Sequence, residues 1–322
     1  MTETKRDLRL YLPVYFIVLI MYLAAGLLSR DFFTWRNNVN LFSRVTPLIL
    51  AGLAQTFVVL GGGIDLSVGS MISVSCVLAA SLPGVDTTAN VVMWAIFPPL
   101  AGALMGFVNG VIIGGGRFPP FIVTLATSAV YLGIALFILP EPGGAVSMAA
   151  ASFIGGNFLG IPMPLLIFMF FVAVCHVIAT RTSLGRSIYA IGGDENVALQ
   201  SGIHVGRIKV LAYSMSGVLC GFAGAYQSAW MFSADPLVGE PYVMNSIAVA
   251  VIGGTALTGG RGGMVGVVGG AYIFYMINNV LNLLSISTFY QYVARGLIII
   301  VALAVSSPEV FAKARRAGGF AK

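Results

Sequence analysis

Hydropathy along the chain alternates between long apolar runs and short polar or glycine-rich breaks. Ten apolar segments stand out, at residues 10–28, 45–61, 66–82, 91–114, 121–139, 165–179, 208–231, 243–257, 264–284 and 290–306. Most are long enough to cross about 30 Å of hydrocarbon as a helix. Inside a bilayer only a helix or a closed barrel satisfies its own backbone polar groups. The pattern therefore predicts an all-α, polytopic membrane bundle of about ten transmembrane helices, forming one domain over residues 1–322. The breaks differ in kind. Residues 29–44 are polar and carry Arg30, Arg36 and Arg44. A short loop carries Asp86, and a basic hinge at 116–120 carries Arg117. Residues 140–164 are rich in Gly and Pro without Lys or Arg, which suits an outer loop. Residues 232–242 form a loop with Asp235 and Glu240.

Composition narrows the class. Apolar residues make up 58% of the 322 and charged residues 9%, with a mean hydropathy of +0.96. Soluble domains carry roughly 25% charged residues, so this chain has too little charge to cover a soluble surface. Its excess of 17 basic over 11 acidic residues lies at segment ends and not in a stripe, which argues for topology and against nucleic acid. With the N-terminus inside and ten crossings, thirteen basic residues fall on inner segments: Lys5, Arg6 and Arg9, then Arg117, four at 180–209, Arg261, and four in the tail at 307–322. The outer loops then hold only Arg30, Arg36 and Arg44, while Arg295 lies in the last span. This bias puts the polar island 180–209 in the cytoplasm. Residues 10–28 compete with a signal-peptide reading through Ala24-Ala25-Gly26, but their length favours a retained span. Cys76, Cys175 and Cys220 all sit in apolar runs and form no disulfide framework.

Two glycine-rich interruptions occupy comparable places in the two halves: 61–69 (GGGIDLSVG) and 253–266 (GGTALTGGRGGMVG). Gly106-Phe-Val-Asn109-Gly110 also loosely matches Met276-Ile-Asn278-Asn279. Weak internal repeats with broken helices are common in transporters, and broken backbone at membrane depth is buried in protein or lines a cavity. These interruptions make Gly63, Asp65, Ser67, Gly253, Gly254 and Thr255 candidates for a translocation path. The competing reading is that such glycines only allow close helix packing. Asp65 is the sharpest single residue, since an ionisable group at membrane depth is costly and by default functional. Its alternative is a helix cap for the following span. His176 is isolated near a span end. The sequence contains no metal-spaced cluster, no nucleophile–base pair and no G-x-x-x-x-G-K-[ST] phosphate loop, so no enzyme reading and no cofactor emerges.

The island TRTSLGRSIYAIGGDENVALQSGIHVGRIK (180–209) contains one short capped helix. Asp194 is a good N-cap, Glu195 complements the helix dipole, and Gly202 suits a left-handed residue beyond the C-terminus. Gly192 and Gly193 are expected to turn the chain sharply into that cap. Either this is an ordinary solvated loop or it docks a soluble partner.

From Thr182 through Asp194 to Ser201-Gly202-Ile203, this island resembles the cytoplasmic loop of ABC-importer permeases of the ribose/xylose/arabinose class. The stretches GGGIDLSVGS (61–70), RFPPFIVTLAT (117–127) and AVAVIGGTALTGGRGGMVG (248–266) are similar to the same family. The resemblance runs from the second span to the last. It implies a bacterial inner-membrane subunit that imports a monosaccharide by alternating access. The expected partners are a cytoplasmic ATP-binding cassette subunit, a second permease and a soluble sugar-binding protein. It also implies that Arg186, Gly192, Gly193, Asp194, Glu195, Ser201 and Gly202 couple the chain to the ATPase. Two departures are visible. The family usually has Asn at the position of Asp194. It also shows Gly-x-x-Tyr-Glu-Leu-Asp where this chain has Gly239-Glu240-Pro241-Tyr242-Val243-Met244-Asn245, so the second permease is either a copy or a non-identical chain. Nucleosides or another small polar solute are the alternative cargo, and an ATPase-independent carrier using Asp65 is the alternative mechanism.

Overall fold

The computed structural model describes residues 3–28, 30–81, 88–116, 118–287 and a few between 289 and 297. The expected tenth span at 290–306 lies largely outside the described residues, and the tail 307–322, Asp86, Arg117 and Arg295 lie wholly outside them. The described chain is helical, with one two-stranded antiparallel ribbon pairing Asn157–Phe158 with Ile161–Pro162. Among the described residues, seven helices are long and apolar enough to cross a membrane: α1 (Glu3–Leu28), α2 (Trp35–Leu60), α4 (Thr88–Gly116), α5 (Pro120–Ile138), α7 (Met163–Arg181), α10 (Val205–Met231) and α12 (Met264–Leu283).

Two of the expected spans are shorter than the sequence pattern implied. Helix α3 (Val68–Ser81) has 14 residues and α11 (Glu240–Ile252) has 13. At about 1.5 Å per residue neither reaches across the hydrocarbon core. The glycine-rich interruptions consume the residues that would have completed these helices. Helix α3 follows the first interruption and α11 precedes the second, so both are half-spans next to a break.

The second span begins at Trp35, well before the residue 45 that its hydropathy indicated. Thr34 caps α2 by accepting from the Asn37 N–H at 3.3 Å. Arg36 and Arg44 therefore lie on a helix and not in a loop. The polar first turns are held by side chains from other elements: Tyr22 Oη donates to Asn38 Oδ1 at 2.8 Å, and Asn279 Nδ2 donates to Asn37 Oδ1 at 3.0 Å. Beyond them α2 is buried along nearly its whole length. It is the central column against which α3, α7, α10, α11 and α12 pack. Helix α1 packs on α12, where Tyr15 Oη donates to the Val265 carbonyl at 2.8 Å. The expected outer loop at 140–164 contains a further short helix, α6 (Met148–Gly155), capped by Ser147.

Helices α4 and α10 make the most intimate pair. A Cβ on Gly102 would collide with the Gly217 carbonyl and one on Gly106 with the Tyr213 carbonyl. One on Gly110 would come to 2.6 Å from Val210 Cα, and one on Gly114 to 2.6 Å from the Gly206 carbonyl. The partners run backwards along α10 as the glycines advance by fours, so the helices are antiparallel and touch backbone to backbone. For these positions the close-packing role of glycine holds. Gly115, one residue beyond the seam, has open space around its Cβ position. Gly106→Ala is expected to destabilise the folded chain by about 2 kcal/mol through overpacking. Gly115→Ala should be neutral or raise stability, because Ala is favoured over Gly inside a helix by up to about 1 kcal/mol. Thermal scans of the two variants in detergent check the contrast, and equal midpoints would contradict the packing assignment.

Candidate functional site

The polar island folds as two helices, not one. Thr182 caps α8 (Ser183–Gly193), accepting from the Gly185 N–H at 3.2 Å. Gly185 lies so close to the end of α7 that a Cβ would strike the Ile178 and Ala179 carbonyls. Helix α8 buries Ile188 and Ile191. Gly192 and Gly193 lie in its last turn instead of making the bend. The bend is at Asp194 itself, whose backbone is extended (φ −160°). Its carboxylate then accepts from the Asn196 and Val197 N–H groups at 2.9 and 3.1 Å, capping α9 (Glu195–Gln200). Ser201 Oγ donates to the Val197 carbonyl at 2.8 Å, and Gly202 follows with φ +81°. Arg186 is exposed, with Nη1 donating to the Arg181 carbonyl at 3.3 Å.

Helix α9 is partly held against the bundle and partly exposed. Ala198 is buried with Ile191 and Val205, and Glu195 receives Lys209 Nζ of α10 at 2.8 Å on both carboxylate oxygens. Val197 and Leu199, which flank Ala198, are 58% and 56% exposed. They are exposed aliphatics on a six-residue helix in a polar loop, two positions apart and so on different sides of it. The sequence reading did not single them out, though two large aliphatics within the capped segment were the available signal.

Behind this helix the two glycine-rich interruptions meet each other and α8. The Gly260 N–H donates to the Leu60 carbonyl at 3.0 Å, joining the second interruption to the end of α2. Gly192 is wedged at this junction: a Cβ on it would collide with the Leu60 carbonyl and come to 2.5 Å from the Gly260 nitrogen. Tyr189 Oη donates to the Gly262 carbonyl at 2.8 Å, a second tie from α8 to the same loop. Gly259 (φ +84°) needs its left-handed backbone and has no room for a side chain, since its Cβ would lie 3.0 Å from Gly62 Cα. A cleft of about 280 Å³ opens beside the junction, lined by Gly62, Gly63, Gly193, Asp194, Glu195, Lys209 and Tyr213 among others. Tyr213 Oη, buried at its wall, finds no hydrogen-bond partner among the described residues.

Of the proposed path residues, Gly63 lines this cleft, Asp65, Ser67, Gly253 and Thr255 are enclosed by protein, and Gly254 is half-buried. Asp65 is not the N-cap of α3. It stands ahead of that helix, and the Ser67 carbonyl accepts the first helical hydrogen bond, from Met71. The Asp65 carboxylate instead closes a network. Oδ1 accepts from Ser67 N–H at 2.9 Å and from Ser67 Oγ at 2.6 Å, while Oδ2 accepts from Ser216 Oγ of α10 at 3.0 Å. Asn109 Nδ2 of α4 donates to Ser67 Oγ at 2.8 Å, and Tyr131 Oη of α5 donates to Asn109 Oδ1 at 3.1 Å. The Gln55 amide of α2, oriented to pair, brackets the Asp65 backbone at 3.0 and 3.2 Å. Helices α2, α4, α5 and α10 and the start of α3 are thus knotted at one fully buried carboxylate. Gly253 lies against Gly266 backbone to backbone, and Gly254 has φ +90°. Thr255 is buried beside Gly262, with its hydroxyl unpaired among the described residues.

Residues 37–303 match the family model described as "Branched-chain amino acid transport system / permease component". The chain is 39% identical over 289 residues to the ribose import permease protein of Bacillus subtilis (strain 168), covering 88% of each chain. It is 36% identical over 295 residues to the D-allose transport system permease protein of Escherichia coli (strain K12), covering 90% of each. To the L-arabinose ABC transporter permease protein of Azospirillum brasilense it is 34% identical over 290 residues, 89% of this chain and 84% of that one. No solved structure matches it.

Proposed function

We propose a function from the premise that this chain belongs to the permease-component family of branched-chain amino acid transport systems. It is the membrane subunit of an ATP-driven importer in a bacterial inner membrane, and its cargo is a monosaccharide. Relatives named for ribose, allose and arabinose support a sugar over the amino acid of the family description. ATP hydrolysis resides on a partner cassette subunit, sugar arrives from a soluble binding protein, and a second permease, a copy or a non-identical chain, completes the path. Residues 1–322 act as one permease domain, with 181–209 as its cytoplasmic coupling loop.

The observation that carries this reading is the build of α9. It is fixed to the bundle through Ala198 and the Glu195–Lys209 pair, and it leaves Val197 and Leu199 exposed on its two flanks. A short helix held from behind, with exposed aliphatic side chains on its flanks, can seat in a groove of a partner. Any displacement of α9 by the ATPase is passed through α8 to Gly192, which touches the end of α2 and the second interruption at once. The permease then needs only two arrangements whose balance the partner shifts. Asp65 does not favour the carrier reading: its described surroundings seal it with hydroxyl and amide donors.

Val197→Asp combined with Leu199→Asp is expected to reduce recovery of the cassette subunit with the tagged permease at least tenfold. That corresponds to about 1.4 kcal/mol or more, within the range of interface anchors. Thermal stability should change little, because both side chains are exposed. ATP-dependent uptake of labelled ribose, allose or arabinose into vesicles should fall with it. Full uptake by the double variant would sink the docking assignment, and sugar uptake without any ATPase would sink the importer.

A further inference from the structure

A second cavity, of about 440 Å³, lies between α4, α6, α7 and α10 and reaches the buried central helix at Leu50. Its rim is formed by exposed aromatics, Phe153, Phe158 and Phe170, and its depth by Trp94, Phe222 and Tyr226. The side-chain nitrogen and oxygen atoms of this lining are turned away from it. Trp94 Nε1 donates to Ser228 Oγ at 3.2 Å, and Tyr226 Oη donates to the Ser43 carbonyl at 3.0 Å. The helices flanking the mouth are apolar on their outer faces, with Ile96, Phe97 and Leu100 on α4 and Met169 and Val174 on α7 exposed.

Three occupants can be weighed. Water needs two or more polar partners, and apolar cavities stay dry. A sugar would bury several hydroxyl groups without acceptors, each at a cost. An empty void of this size would forfeit dispersion contacts along its whole lining. Hydrocarbon meets none of these objections, and the exposed side chains of α4 and α7 beside the mouth are apolar. We propose that this pocket is a lipid site, holding an acyl chain of a membrane phospholipid against Trp94 and Phe222 down to the central helix. The site is independent of the ATPase reading and would exist whatever the cargo.

Trp94 reports on its occupant. The full-length chain carrying Trp35→Phe and Trp230→Phe is placed in phosphatidylcholine–phosphatidylglycerol vesicles, with or without bromine at mid-chain. Brominated lipid is expected to quench Trp94 fluorescence by about half or more, although the ring is 8% exposed. Ala225→Phe, which fills the pocket from α10, should remove most of that quenching. If that variant does not fold, Ala95→Phe fills it from α4. In the unaltered chain, a phospholipid with a photoactivatable acyl chain should cross-link to the peptide containing Phe222. Unquenched Trp94, quenching that survives both fillings, or relief of quenching by ribose would each overturn the assignment.

Discussion

Gly192→Val is expected to abolish solute uptake and to lower the thermal midpoint of the purified permease, whereas Gly193→Trp is expected to abolish uptake alone. The two glycines are adjacent in the last turn of α8, with ordinary helical backbones, so conformational freedom does not distinguish them. Space does. The Cβ position of Gly192 collides with the Leu60 carbonyl and nears the Gly260 nitrogen, while that of Gly193 has nothing within 4 Å. A branched side chain at 192 must separate α8 from this junction or break the Gly260–Leu60 hydrogen bond, at an overpacking cost of roughly 1–3 kcal/mol. At 193 the indole projects beside α9 and leaves the bundle intact. Parallel thermal scans and ATP-dependent uptake separate the cases. Normal uptake by Gly192→Val would show that the junction does not carry the coupling movement.

How much of this was legible in the sequence follows from whether the cause is local. Asp194, Gly202 and the helix between them were readable, because a cap and a left-handed stop are set within a few residues. The two breaks were readable for the same reason. The start of α2 was not, since Asn37 and Asn38 lower its hydropathy while Asn279 and Tyr22, from other helices, satisfy them. Gly192 was assigned to a turn, because local reasoning sees glycine as flexibility. Its reason here is the Leu60 carbonyl, far earlier in the chain. The half-span lengths of α3 and α11 were also hidden, as apolar residues in the breaks, such as Ile64 and Leu257, continue the hydropathy of the helices they interrupt. Gln55 and Ser216 are polar residues within apolar runs, yet only the fold shows that both converge on Asp65.

That convergence yields the largest expected loss of stability. Asp65→Leu removes both acceptor oxygens and strands the Ser216 hydroxyl and the Ser67 N–H inside the bundle. Each buried donor left without an acceptor costs about 1–3 kcal/mol, so losing both partners is a large share of a marginal total. Little monodisperse protein should survive extraction. Asp65→Asn is the informative companion. Its carbonyl oxygen can still accept from Ser67, and the Ser216 hydroxyl can rotate to accept from the new amide, so the loss should be about 1 kcal/mol. If the carboxylate is a structural knot, the Asn variant keeps ATP-dependent uptake near the parent level, unaffected by a proton gradient. If it moved protons, uptake by the parent would respond to the gradient and that of the variant would not. Size-exclusion profiles of both variants, with uptake of the Asn form at two external pH values, decide between them. A fully stable Asp65→Leu would mean that the helices around it hold together without their shared carboxylate.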